Sequence, residues 1–589
     1  MKLERQVKTL YWLAGALLVL GLIFWGLAFA WHPLGLAITA GIAVVTLVLT
    51  RMLGRRVPRG TVLEVDLDGG VLEKKGSDPL SLALHRNSVV VRDVVDALDR
   101  AAADARITGF VARIGNGSIQ LGHAQEMRDA VHRFRAAGKK TVAFSETFSE
   151  GGSATIDYYL AAAFETIYLQ PNGMVSATGL VGRSQFVRGL FDKLGIFPDL
   201  DHRKEYKAAL YRLTETGFTE PHRQAVEGIA SEQFRQVVTG ISSDRGITEE
   251  RARELVDGSP LMTDEALEKG MVDQLGYRDE AYAAAGGDRF LLISSYLKRA
   301  GRPHRKGAKL GLIYGTGAIV RGGSGFDALT QEASMGADDV AKAFRAAIDE
   351  RKVKAIVFRV DSPGGSAVGS EVVRREVVRA RESGIPVVVS MSNVAGSGGY
   401  WISANADKIV AQPGTITGSI GVVGGKLANR EAWAKAGITF DHVGFGENAT
   451  FSLSQDRYTD SERARHTASL DTIYRDFTEL VAEGRQLDLD HVHSVAKGRV
   501  WTGTQAKEKG LVDELGGLET AVSLAKQAAG IAADEPVSLV GFPKKKRPFP
   551  PERKVSSEPI HQAFALLTGS LRNVIPAGIQ LRMPDYRIR

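Results

Sequence analysis

The stretch Ala355-Ile356-Val357-Phe358-Arg359-Val360-Asp361-Ser362-Pro363-Gly364-Gly365-Ser366 decides the fold. Its first six residues read as a β-rich apolar run, which a Pro-Gly-Gly turn closes. A helical pattern follows from about Gly369 to Ser383, and the next apolar run opens at Pro386-Val387-Val388-Val389-Ser390. Runs of this kind alternate with amphipathic helical stretches from residue 60 onward, which predicts βα units around a mainly parallel sheet and places the chain in the α/β class.

Working outward, the same pattern occurs twice. Tyr158-Tyr159-Leu160-Ala161, Gln170-Pro171 and Gly179-Leu180-Val181-Gly182 match Tyr400-Trp401-Ile402-Ser403, Gln412-Pro413 and Gly421-Val422-Val423-Gly424 at a constant offset of 242. Further along, Glu268-Lys269-Gly270-Met271-Val272-Asp273 matches Glu508-Lys509-Gly510-Leu511-Val512-Asp513 at an offset of 240. Two α/β copies of about 240 residues therefore form the body and join near Lys298–Lys309. The boundaries expected are 1–59 for an N-terminal segment, 60–300 and 301–540 for the two repeats, and 541–589 for a basic, proline-rich link and tail.

The copies differ where chemistry would be done. The second has Gly396-Ser397-Gly398-Gly399-Tyr400 after a strand, whereas the first has Thr155-Ile156-Asp157-Tyr158 at about that place, with Gly151-Gly152 displaced upstream. A serine among glycines at a strand-to-helix junction has the setting of an exposed nucleophile; a tight turn that needs only glycine is the other reading. Acyl transfer also requires two convergent N–H donors, and the amides of Gly398 and of Gly364 or Gly365 are candidates. The base stays open at this level. Asp441-His442 offers an imidazole for a Ser-His-Asp triad, although Ala395 stands where the strict G-x-S-x-G elbow has its first glycine; a neutral lysine is the alternative.

Composition narrows the chemistry further. The 589 residues contain no cysteine, which excludes disulfides, thiolate metal sites and a cysteine nucleophile. The formal net charge of +7 is unevenly placed: residues 1–60 hold seven basic side chains against Glu4 alone, and residues 543–555 hold six against Glu552. The remainder is slightly acidic, so a nucleic-acid partner is not expected. Thr9–Thr50 lacks any Asp, Glu, Lys or Arg. Leu10–Ala30, with 21 residues, is long enough to span a bilayer, and Leu34–Thr50, with 17, reads as a second span turned at His32-Pro33. A signal peptide cut near Ala28-Phe29-Ala30 is the rival reading. By the positive-inside rule a hairpin leaves the body in the cytoplasm, while a single span leaves it outside. Ile560–Leu571 is expected to form a short amphipathic helix.

The motifs Asp361-Ser362-Pro363-Gly364-Gly365-Ser366, Gly396-Ser397-Gly398-Gly399-Tyr400-Trp401-Ile402, Thr415-Ile416-Thr417-Gly418-Ser419-Ile420-Gly421 and Glu205-Tyr206-Lys207-Ala208-Ala209 resemble the signal peptide peptidase A (protease IV) family in its long duplicated form. The resemblance covers nearly all of residues 60–535. It implies two tandem ClpP/crotonase-like βα superhelical repeats behind the transmembrane segment, and a Ser-Lys dyad in which Ser397 is the nucleophile and Lys207 the general base. Ser419 would orient the lysine, and Gly398, Gly364 and Gly365 would hold the oxyanion. It implies no metal and no other cofactor, and a homotetramer in a bacterial inner membrane with its body on the extracytoplasmic side. The expected substrates are signal peptides left in the bilayer.

Such a base makes a physical demand. A free lysine titrates near 10.4, so work near neutrality needs a fall of roughly three units, about 4 kcal/mol. The apolar neighbours Ala208, Ala209 and Leu210 suit that, and Lys204 reads as a solvated surface lysine. With the offset of 242, Lys207 falls opposite Ala449, so the second copy has no lysine there. An acyl-CoA enzyme of the crotonase class and a catalytically silent membrane scaffold are the alternatives.

Overall fold

The computed structural model describes residues 56–76, 78–115, 117, 119–327, 332–544, 580–583 and 587–588, with the isolated positions 15 and 44–45. Apart from those isolated positions, the expected membrane spans and the 560–571 helix lie outside the described residues. Among the described residues, no helix is long and apolar enough to cross a membrane.

Each half builds a sheet around six parallel strands in the same spatial order, to which the second half adds Ile416–Gly418 and, antiparallel to it, Val500–Thr502. In the first half the order is Gln274–Leu275, Thr166–Leu169, Lys140–Ser145, Ile107–Arg113, Thr61–Asp66 and Arg289–Leu292, every pair parallel. In the second it is Glu514–Leu515, Lys408–Ala411, Val387–Gly396, Val353–Ser362, Ala308–Thr316 and Val537–Phe542, again all parallel. Parallel strands buried on both faces need continuous apolar runs, which is why Ala355–Phe358 and Val387–Val389 carry no alternation. The opening stretch forms strand Val353–Ser362, then the short strand Gly364–Ser366 and helix Ala367–Glu382.

The repeat extends to single contacts. Helices Glu220–Arg245 and Asp460–Arg485 both run 26 residues from a threonine N-cap. Buried Tyr158 donates its hydroxyl to the Met271 carbonyl at 2.8 Å, and Tyr400 does the same to Leu511 at 2.8 Å. Asp273 and Asp513 each accept a strand N–H, from Ile167 and Ile409, and each pairs with the arginine that ends its long helix, Arg245 or Arg485.

The halves are also stitched together. Strand Phe197–His202 of the first half pairs antiparallel with Val423–Ala428 of the second. It is thereby the edge of a seven-stranded sheet whose order continues through Gln580–Arg582, Gly364–Ser366, Ala318–Val320, Glu332–Gly336 and Gly325–Asp327. The halves also share a buried ionic cluster. Arg359, 1% exposed, donates through Nε and Nη2 to both carboxylate oxygens of Glu73 at 2.9 Å and through Nη2 to Glu126 at 2.6 Å. The two glutamates come from the first half and the arginine from the second.

Candidate active site

The strand pairing of Phe197–His202 explains how Lys207 reaches the second half. Two residues beyond His202 the chain turns at Lys204 (φ 69°), and Lys207 then caps the short 3₁₀ helix Ala208–Leu210. The Tyr206 N–H donates to the Lys497 carbonyl at 3.1 Å, which pins the segment. Gly498 follows in the left-handed region (φ 79°), and a Cβ there would lie 2.5 Å from the Lys207 Cβ. Only glycine lets the two backbones approach so closely.

Lys207 is fully buried. Its Nζ lies 2.7 Å from Ser397 Oγ, 2.7 Å from the Ser419 carbonyl oxygen and 3.0 Å from Ser419 Oγ. Burial alone drives its pKa well below the usual lysine value, with no carboxylate to hold the proton. A neutral amine has two protons and one lone pair. The Ser419 carbonyl and hydroxyl oxygens take the protons as acceptors, which leaves the lone pair for the Ser397 hydroxyl. The arrangement sets an amine lone pair against a serine hydroxyl, the geometry that general-base activation of a nucleophile requires.

Ser397 stands at φ 55°, ψ −114°, between strand Val387–Gly396 and the four-residue helix Gly398–Trp401. A non-glycine residue in that region is strained and survives only where its surroundings fix it. Here the Ser397 N–H donates to the Gly418 carbonyl at 2.8 Å, while its own carbonyl accepts from Tyr400 and Trp401. Ser419 is a second positive-φ serine (52°), held by its N–H to the Arg499 carbonyl at 2.7 Å.

The three candidate oxyanion glycines are brought together with Ser397. Gly364 (φ 93°) meets Gly398 so closely that a Cβ on it would lie 2.7 Å from the Gly398 nitrogen. Gly365 is committed to strand pairing, opposite Ile319 on one side and Leu581 on the other. Gly364 is paired as well, opposite Arg582, and its N–H donates to Ser362 Oγ at 3.2 Å, so Gly364 and Gly365 stand equally as partners of the Gly398 amide. His442 is exposed and lies outside this cluster, as does Lys204, which is also exposed. In the first half the 242 offset puts Thr155 at the place of Ser397; its hydroxyl donates to the Gly179 carbonyl and accepts the Gly179 N–H, both at 2.9 Å.

Sequence reasoning missed the buried ionic cluster that joins the halves. Glu73, His123 and Asp361 bring ligand atoms within 4.8 Å of one another. The cation at Glu73 is the guanidinium of Arg359: against the desolvation of burial, Arg359 and His123 hold the Glu73 carboxyl far below the ordinary range. Asp361 is pushed up to about 6 by burial, and its Oδ1 accepts the Val394 N–H at 3.0 Å. An arginine inside a continuous apolar run, Arg359 among Ile356, Val357, Phe358 and Val360, was the available signal.

The family model described as Peptidase family S49 matches residues 133–289 and 379–532. Among curated proteins, Protease 4 of Salmonella typhi is 29% identical over 569 residues, 89% of this chain and 85% of that one. Protease 4 of Haemophilus influenzae is 30% identical over 470 residues, 76% and 74% of the two chains. The chloroplastic serine protease SPPA of Arabidopsis thaliana is 28% identical over 547 residues, 90% and 78%. The chain belongs to peptidase family S49 and is a serine peptidase of the long duplicated type.

Proposed function

We propose that this chain is a membrane-anchored serine endopeptidase that degrades cleaved signal peptides with Ser397 as nucleophile and Lys207 as general base. The observation that carries the reading is the 2.7 Å contact between a fully buried, carboxylate-free lysine amine and a serine hydroxyl. Neutral Lys207 takes the Ser397 proton as Oγ attacks a peptide carbonyl, and the amides of Gly398 and of Gly364 or Gly365 receive the oxyanion. The lysine then gives that proton to the leaving amine, and a water, deprotonated by the same amine, resolves the acyl-enzyme. Ser419 keeps the lone pair aimed at Ser397.

Apolar peptide substrates suit the surroundings: Ile416, Val500, Ala225 and Ile229 form a buried apolar patch beside Val394 and Tyr206. Each half is read as a ClpP/crotonase-like βα unit, with 60–300 supplying the lysine and 301–540 the serine. The charge-free block Thr9–Thr50 is the proposed anchor and would hold the body beside peptides in the bilayer, raising their local concentration. A homotetramer belongs to the same reading, on the family resemblance.

Ser397→Ala and Lys207→Ala should each lower kcat/KM on an apolar peptide by on the order of 10⁴-fold or more while the protein stays folded. A fluorophosphonate probe should label Ser397 in the unaltered protein alone. Undiminished hydrolysis in either variant refutes the dyad, and an unlabelled but folded parent protein favours the acyl-CoA reading.

A further inference from the structure

The edge of strand Gly364–Ser366 nearest Ser397 is already paired. Gln580–Arg582 runs antiparallel to Gly364–Ser366, with Gly364 opposite Arg582, Gly365 opposite Leu581 and Ser366 opposite Gln580. On its other side Gln580 pairs with Val423. The Met583 N–H then donates to the Pro363 carbonyl at 2.8 Å, which carries the pairing one residue further toward the nucleophile.

The side chains are seated as well as the backbone. Leu581 is fully buried and Met583 is 5% exposed. Met583 packs into the patch of Ala225, Ile229, Ile416 and Val500, and a Cβ on Gly396, the residue before Ser397, would lie 2.4 Å from its Sδ. The Leu581 carbonyl lies over Gly364, one of the oxyanion candidates, at 2.1 Å from where a Cβ would be. A cleft of about 830 Å³, lined by Ser362, Pro363, Val394 and Ile416, is also lined by Met583 itself.

Proteins hold extended peptides by adding them as a strand to an open sheet edge, with main-chain bonds for affinity and alternate side-chain pockets for choice. Here two alternate apolar side chains, Leu581 and Met583, fill such pockets next to Ser397. We propose that residues 580–583 are a resident competitor: the chain occupies its own peptide slot, and a substrate must displace this strand before it reaches Ser397. The inference rests on the Ser397–Lys207 reading of the site. A tethered segment acts at an effective concentration of about millimolar, so it raises the apparent KM without touching the chemical step.

The test uses the full-length protein, the Leu581→Asp/Met583→Asp double variant, and a chain ending at residue 578. Each is assayed on a fluorogenic apolar peptide and with a fluorophosphonate probe. The expected result is a KM at least about tenfold lower in both altered chains with kcat unchanged. A synthetic peptide of residues 578–583 should then inhibit the shortened chain competitively and the full-length protein far less. An unchanged KM in the double variant, with Ser397 still labelled, overturns the proposal and leaves the dyad standing; loss of labelling in the parent protein tells against the dyad instead. If the shortened chain does not fold, the double variant decides alone.

Discussion

Lys207 pays no visible electrostatic return for its burial, because only serine oxygens surround its nitrogen. Its folded pKa is lowered and its unfolded pKa is the ordinary one near 10.5. Between the two, unfolding takes up a proton, so this residue makes stability rise with pH across that window and stop changing above it. Lys207→Met fills a similar volume and cannot titrate. Its melting temperature relative to the parent protein should therefore be highest near neutrality and decline as pH approaches 10.5, while the unpartnered Ser419 oxygens add a penalty that does not vary with pH. A difference between the two proteins that stays constant from pH 7 to pH 10 would mean that Lys207 is protonated in the folded state. At this scale the motifs around Lys207, Ser397 and Ser419 were legible in the sequence. The positive φ of both serines and the press of Gly498 on Lys207 were not, since they depend on contacts between distant segments.

Strand Val353–Ser362 shows what the elements add. Its apolar run announced a buried parallel strand, and helix Ala367–Glu382 starts within two residues of the place expected for it. The run also hid Arg359, which reaches across the seam to Glu73 and Glu126 and is further held by Ser390 and Ser392. A pattern of apolar residues cannot reveal such a residue's partners, because they are set by how the two sheets meet. Removing one partner from a buried ionic cluster leaves the others uncompensated and costs about 3–5 kcal/mol. Arg359→Met should lose that much in denaturant unfolding, and because the strand ends at Ser362, next to the Pro-Gly-Gly turn, activity should fall with it. A loss under about 1 kcal/mol would mean that the glutamates find water or new partners when the arginine is gone.

For the whole molecule, duplication and division of labour are the same fact. The repeat was visible in the sequence because paired motifs such as Tyr158 and Tyr400, or Asp273 and Asp513, hold equivalent packing contacts in both halves. What the sequence could not display is the exchange of strand Phe197–His202 into the other half's sheet, which brings Lys207 to Ser397, or the return of residues 580–583 to the same place. Lys207 and Ser397 meet within one chain, so each chain should carry a complete site whatever assembly it joins. Co-expression of Lys207→Ala with Ser397→Ala tests this directly. No chain in the mixture holds both groups, and peptide hydrolysis should stay at the level of the inactive single variants. Recovery toward about a quarter of the parent activity, the share of sites that random mixing of two chains completes in trans, would require strand Phe197–His202 to pair with Val423–Ala428 of a second copy, and would move the site from within the chain to the junction between subunits.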